Sequence, residues 1–188
     1  MKRTLISLFC IFTLVLGCTP SAGALEGEAL RAADSLATLG LVQGTADGDY
    51  DLDAPATRAQ AAVLLVRLAG AQADAAADPW FAGFRDVPGW ASDALDYAAH
   101  QGWVKGVSQT SYNAQANIDA GDWYASLLRM LGYEENADFT LADAASFARR
   151  AGLTSRAYDG PMSRGQLFLS MQDALTFPYR DGSETVVE

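Results

Sequence analysis

One event occurs three times along this chain: a glycine closes an apolar-patterned helix, an apolar strand-like pair and a polar loop follow, and a second helix opens on a capping side chain. The glycine-led segments are Gly40-Leu41-Val42-Gln43-Gly44, Gly102-Trp103-Val104-Lys105-Gly106 and, more loosely, Gly152-Leu153-Thr154-Ser155-Arg156. The first glycine is followed 17 positions later by Thr57 (57 − 40), and the same step from Gly102 reaches Asp119 (119 − 102). In the third occurrence the step to Ser163 is 11 (163 − 152), so the loop is shorter by six residues. Such self-similarity constrains the fold strongly, because one helix pair cannot bury its own apolar face whereas three stacked about a common axis can.

The three endpoints are helix N-caps. Thr57 with Gln60 and Ser163 with Gln166 are capping boxes, and Asp119 is followed at the same distance by Asp122, whose side chain can also return a hydrogen bond. Apolar spacing then predicts core helices through Ala61, Leu64, Leu65 and Leu68, through Leu127, Leu128 and Leu131, and through Leu167, Met171 and Leu175. Gly70 and Gly132 suit the C′ position of the first two. A preceding helix is predicted in each occurrence, over Glu28 to Leu39, Trp90 to Gln101 and Leu141 to Ala151. Their inward faces read as Leu30, Ala33, Leu36 and Ala37, then Ala94, Leu95 and Ala98, then Ala144, Phe147 and Ala148. Gln72 to Asp78 and Glu134 to Asp138 read as linkers.

Half of the 188 residues are apolar and 19% are charged, a mixture that folds. Lys2 and Arg3 precede an apolar run from Leu5 to Leu16, too short for a membrane span and suited to a signal-peptide core. The chain is therefore expected to be exported, with no transmembrane span once processed. Two processing routes fit, cleavage after Ala24, at Ala22-Gly23-Ala24, or lipidation of Cys18 in the lipobox-like Val15-Leu16-Gly17-Cys18, with an uncleaved anchor as the remaining alternative. Losing Lys2 and Arg3 leaves 11 basic against 23 acidic residues, a net charge of −12 that makes nucleic acid a poor partner. Cys10 and Cys18 both lie in the leader, and His100 is the sole histidine, so no disulfide framework, thiol chemistry, zinc site or other cofactor is expected. His100 reads as a partly exposed residue near a helix C-terminus rather than a catalytic base.

Phe84-Arg85-Asp86-Val87-Pro88-Gly89-Trp90-Ala91 resembles the opening of an S-layer homology repeat, F-x-D-V followed by W-A. Gly44-Thr45-Ala46-Asp47-Gly48-Asp49-Tyr50 resembles the family's G-Y-x-D-G-x-F loop, and Thr57-Arg58-Ala59-Gln60 differs from its T-R-A-E signature at one position. Met162-Ser163-Arg164-Gly165-Gln166 is a looser form of that signature. The resemblance divides the chain into a signal peptide (1–24), three repeats (25–73, 80–133 and a degenerate 134–176) and a polar tail (177–188). It implies a mainly α fold, with three helix-loop-helix repeats in a pseudo-threefold spindle around a central three-helix bundle.

The resemblance also implies a function. In the family, grooves between repeats hold secondary cell-wall polysaccharides, often pyruvylated, on the peptidoglycan of Gram-positive walls, and so tether exported proteins noncovalently at the cell surface. The family's contact positions fall here on Arg58 and Arg164, on Asp86 and Trp90, and on Asp47 with Gly48. An acidic saccharide calls for a bidentate guanidinium, backbone amides at a helix N-terminus and an aromatic face, which this set supplies. The chain departs from the pattern in each repeat. Ala120 stands where the second repeat should have its Arg, Arg156 to Gly160 replaces a full loop in the third, and Leu25 to Glu28 replaces the first opening. The groove containing Arg58 is the expected binding groove.

Other readings of these residues stand beside that one. Trp90 equally suits a core anchor, Arg58 and Arg164 suit structural ion pairs, and Trp80, Trp103 and Trp123 suit packing. Asp47, Asp49, Asp51 and Asp53 alternate as in a calcium loop, but Ala54 occupies the position where an EF-hand requires Gly, and a polar turn fits better. Three function classes follow: a noncovalent wall-binding module, a scaffolding envelope protein or lipoprotein whose grooves bind nothing, and a hydrolase. The last is disfavoured because no carboxylate pair shows a division into acid and base. The tail, Thr176 to Glu188, reads as disordered in its last residues.

Overall fold

The computed structural model describes residues 22–44, 48–182 and 185–186. Cys10, Cys18, most of the expected signal peptide and Asp47 lie outside them. The fold is mainly α-helical: α1 (Ala22–Thr38), α2 (Arg58–Leu68), α3 (Gln72–Ala77), α4 (Ser92–His100), α5 (Ala120–Met130), α6 (Ala144–Ala151) and α7 (Arg164–Leu175). Single 3₁₀ turns at Gly89–Ala91 and Leu141–Asp143 lead into α4 and α6. The apolar pairs that read as strand-like form no strand among the described residues; Val42, Val104 and Leu153 are instead buried loop anchors.

The three predicted caps open α2, α5 and α7. Thr57 and Ser163 accept from the backbone of Gln60 and Gln166, whose side chains accept in turn from the cap amides. Asp119 makes no such bond. Its partner position, Asp122, is turned to Arg58 instead. At the other helix ends, Gly40, Gly102 and Gly152 have φ of 74°, 74° and 86°, the left-handed conformation that lets the next amide reach back to an otherwise unsatisfied helix carbonyl.

What joins the three caps is a closed ring of backbone hydrogen bonds. Ala56 N–H donates to Met162 O (3.0 Å), Met162 N–H to Ile118 O (2.9 Å), and Ile118 N–H to Ala56 O (2.9 Å). Two residues further on, Arg58, Ala120 and Arg164 donate to Ala116, Gly160 and Ala54 at 2.8–2.9 Å. First-turn amides have no partner inside their own helix, so each of the three is satisfied by its neighbour's loop. A chain closed this way fixes the angular order of the three helices before any side chain is considered.

Neighbours in space are not successive in sequence. The helix before each loop packs on the capped helix of the preceding occurrence: α4 lies on α2, α6 on α5, and α1 on α7, which brings the first described helix onto the last. The shared core includes Leu65, Leu127, Leu128, Phe168, Met171 and the fully buried Trp123, whose Nε1–H donates to the buried Ser170 hydroxyl (2.6 Å). Ala29, Ala32, Ala33 and Leu36 form the buried face of α1, and the short side chains permit close approach to α7.

Two expectations need correction. Leu30 is 48% exposed, because the stripe that α1 presents to α7 runs through residues 29, 32, 33 and 36 and leaves residue 30 outside it. The expected linker Gln72 to Asp78 is mostly the helix α3, which packs on α4 and buries Ala75; its alanines favour helix where a polar linker would not. At the start of the tail, Phe177 and Tyr179 pack on the core, Arg180 N–H donates to Leu131 O (2.9 Å), and the Arg180 side chain pairs with Glu134 and Asp138; the last residues, expected to be disordered, lie outside the described ones.

Candidate functional site

Counting from the caps aligns three sets of groove positions. The offset from α2 to α5 is 62 (119 − 57) and from α2 to α7 it is 106 (163 − 57), so Gln60, Leu64 and Arg67 correspond to Asp122, Ser126 and Arg129, and to Gln166, Ser170 and Asp173. The residue after each cap is Arg58, Ala120 or Arg164. Sites of similar backbone origin thus carry different charges.

The first cleft, of about 480 Å³, lies along α2. Its walls are the loop residues Val42 to Gly44, the α2 face of Gln60, Val63, Leu64 and Arg67, and, from either side, Trp90 and Arg164. Trp90 comes from the 3₁₀ turn that precedes α4 and is 61% exposed, so its ring is a free face rather than a core anchor. Arg164, at the first position of α7, donates from Nε to Tyr50 O (2.8 Å), and its Cζ lies 5.5 Å from the Phe168 ring centroid. No carboxylate among the described residues pairs with Arg164 or with Arg67. The positive end of the α7 dipole adds to the Arg164 charge at this mouth.

The second cleft, of about 230 Å³, surrounds Arg58. Here the guanidinium is already engaged: Nε donates to Tyr112 O (3.0 Å), Nη2 to Lys105 O (3.1 Å), and Nη1 pairs with the Asp122 carboxylate. The Tyr112 ring lies beneath it, 4.6 Å from Cζ, and Arg58 is only 9% exposed. Burial pushes the Tyr112 phenol up to about 12, so it stays protonated near neutrality. Beside it, Glu135 bridges Lys105 and Arg129, and the hydrogen bond from Lys105, followed by that from Arg129, holds its carboxyl below the usual range despite partial burial. Leu141 stands where the first cleft has Trp90.

The third set, on α7, receives no such cation from its neighbour: the residue whose amide donates to the loop before α7, at Gly160 O, is Ala120, where Arg164 and Arg58 stand for α2 and α5. Asp173 occupies the place of Arg67 and is held by Arg156 (2.7 Å) and the Thr154 hydroxyl (2.6 Å), with Glu28 of α1 beyond (3.4 Å). This is a tether between the loop after α6 and the helices α1 and α7.

The remaining expected site residues separate. Asp86 lines neither of the first two clefts: its carboxylate accepts from Tyr112 N–H (2.9 Å), Asn113 N–H (2.6 Å) and the Ser111 hydroxyl (2.8 Å), and so organises the loop that carries Tyr112. Desolvation opposes its ionisation, but these donors outweigh it and bring the carboxyl down to about 2. Gly48, at φ 77°, shapes the loop beside the first cleft without lining it. Asp49 caps its own turn by accepting from Tyr50 N–H (2.6 Å), and no cluster of three metal-ligating side chains occurs among the described residues. His100 ends α4, stacked on Trp80 at 4.8 Å and hydrogen-bonded to Asp78.

Arg67 was not among the residues singled out by sequence. The signal that finds it is the cap register, which equates it with Arg129 and Asp173.

Comparison with known proteins bears on the setting of this site. No family model matches the chain. It is 31% identical over 163 residues to a cell surface protein of Thermoanaerobacter kivui, covering 81% of this chain and 21% of that protein. It is 26% identical over 166 residues to the middle cell wall protein of Brevibacillus brevis, covering 84% of this chain and 15% of that protein. A surface layer protein of Brevibacillus choshinensis is 29% identical over 118 residues, covering 62% of this chain and 11% of its own length. The chain resembles surface and wall proteins. It spans about a fifth or less of the length of these curated relatives. Among the described residues, no helix is long and apolar enough to cross a membrane.

Proposed function

We propose that this chain is an exported cell-envelope module that binds an acidic, peptidoglycan-linked wall polysaccharide noncovalently, without catalysis, in the cleft between Trp90 and Arg164. The observation that carries the proposal is the pairing, in one open cleft, of an exposed indole face with a guanidinium that no described carboxylate neutralises. Sugar rings present C–H faces that stack on indole, and an acidic substituent takes the remaining N–H donors of the guanidinium. Similarity to proteins named for the cell wall, cell surface and surface layer supports the envelope setting. On this reading residues 1–24 are the signal peptide, with lipidation at Cys18 as the other processing route. The spans 25–73, 80–133 and 134–176 are three S-layer-homology-like repeats arranged as a pseudo-threefold spindle, and the ring of hydrogen bonds at residues 56, 118 and 162 supports that arrangement.

A structural role fits the Arg58 cleft, where Asp122 and Glu135 neutralise the basic groups. We therefore assign binding to Arg164 and Trp90, and stability to Arg58 and Asp86.

The test is co-sedimentation of the chain from Leu25 onward with Gram-positive walls before and after acid extraction of the secondary polymer. Binding is expected only to unextracted walls, and Trp90→Ala and Arg164→Ala are each expected to abolish most of it. Equal binding to extracted walls, or full binding by both variants, would refute the proposal.

A further inference from the structure

The cleft along α2 is longer than one acidic group requires. Gln60, Val63, Leu64 and Arg67 occupy successive positions on one helical face, so the cleft has polar ends and an apolar floor. Seven residues of helix separate Gln60 from Arg67, about 10 Å at ~1.5 Å per residue. Arg164 is fixed near the other end: its amide donates to Ala54 O, three residues before the α2 cap, while Arg67 lies in the last turn of α2. Arg164 and Arg67 thus both line this apolar-floored cleft, from backbone positions rooted toward opposite ends of α2.

Neither is neutralised by a described carboxylate, and the equivalent positions show what neutralisation looks like in this fold. Arg129 is held by Glu135, and the third equivalent is itself an acid, Asp173. Two cations that no described carboxylate pairs, in an acidic chain, favour a ligand with two negative groups.

Resting on the proposed binding role of this cleft, we infer that its ligand is a stretch of anionic polymer with at least two acid-bearing units, one acid meeting Arg164 and the next meeting Arg67 across a sugar seated on Val63 and Leu64. Arg67 is thus a specificity residue for multiply charged polymer, not for a single acidic sugar.

The experiment titrates wild type, Arg67→Gln, Arg67→Lys and Arg164→Ala with extracted secondary wall polymer, fractionated into fragments carrying one acid group and fragments carrying two or more, over a range of salt concentrations. Thermal unfolding of each variant confirms that it is folded. For Arg67→Gln the expected result is a loss of about tenfold on the multiply charged fragments. The same variant should show wild-type affinity for singly charged fragments and a salt slope shallower by about one ion. Arg67→Lys should keep the wild-type slope. Equal affinity of Arg67→Gln and wild type on both fractions, with Arg164→Ala defective, would overturn the two-acid inference and leave the binding role standing. An equal loss on both fractions would also overturn it, since Arg67 would then serve the single-acid site. Failure of the wild type to bind any fraction would remove the binding role itself, and the inference with it.

Discussion

Replacing Arg58 and Arg164 separately should give opposite phenotypes, although both follow a cap and both match the same signature position. In Arg58→Ala, the carbonyls of Tyr112 and Lys105 each lose a donor in a largely buried setting, at about 1 kcal/mol apiece. The ion pair with Asp122 is discounted because that carboxylate is about a third exposed, leaving about 1 kcal/mol. The sum, about 3 kcal/mol, corresponds to a fall in Tm of about 9 °C for a domain of this size. Arg164→Ala removes one bond to a carbonyl from a half-buried side chain, so about 1 kcal/mol and about 3 °C are expected. Urea unfolding followed by circular dichroism, alongside wall co-sedimentation, separates the two. Arg58→Ala should be destabilised yet still bind when folded, whereas Arg164→Ala should be nearly as stable as wild type and fail to bind. An Arg58→Ala variant within about 1 kcal/mol of wild type would refute the reasoning, because it would mean that the three contacts at this guanidinium are not a net gain.

Three further outcomes follow from the same geometry. Asp86 has a folded pKa of about 2 against an ordinary value of 3.8, so its contribution is complete above about pH 4 and is lost as pH falls toward 2; Asp86→Asn should flatten acid unfolding in that window, measured by tryptophan fluorescence. Thr57→Ala removes one side of a capping box and should cost about 1 kcal/mol in urea unfolding, whereas Asp119→Ala, which makes no cap bond, should cost less. Ending the chain at Thr176 strips Phe177 and Tyr179 from the core and Arg180 from Leu131 O, and hydrogen exchange should then rise at the C-terminal end of α5.

The helices were legible because their ends are written locally. Thr57, Ser163, Gly40, Gly102 and Gly152 each satisfy or free backbone groups within a few residues of themselves, and all five hold the places the sequence assigns. The α3 helix was not legible, because a short run of Gln, Ala and Asp becomes helical only when α4 supplies a surface for Ala75. Leu30 was misjudged for a related reason: several stripes of α1 are apolar, and only the position of α7, more than a hundred residues away, selects which one is buried. The candidate site shows the same division. Signature matching nominates Arg58 and Arg164 alike, but the partners that occupy Arg58 lie 47, 54 and 64 residues away and include two backbone carbonyls that no side-chain pattern encodes. Trp90 and Arg164 are 74 residues apart (164 − 90), and nothing in the spacing places them in one cleft.

The central claim is that the Trp90–Arg164 cleft holds an acidic wall polymer. Its most direct test is the set of four tryptophan indole resonances in a ¹H–¹⁵N spectrum of the folded chain during titration with the extracted secondary polymer. The account expects the Trp90 signal to shift with saturation while that of the buried Trp123 stays fixed. Saturable binding that leaves Trp90 unmoved, or no binding at any concentration, would contradict it.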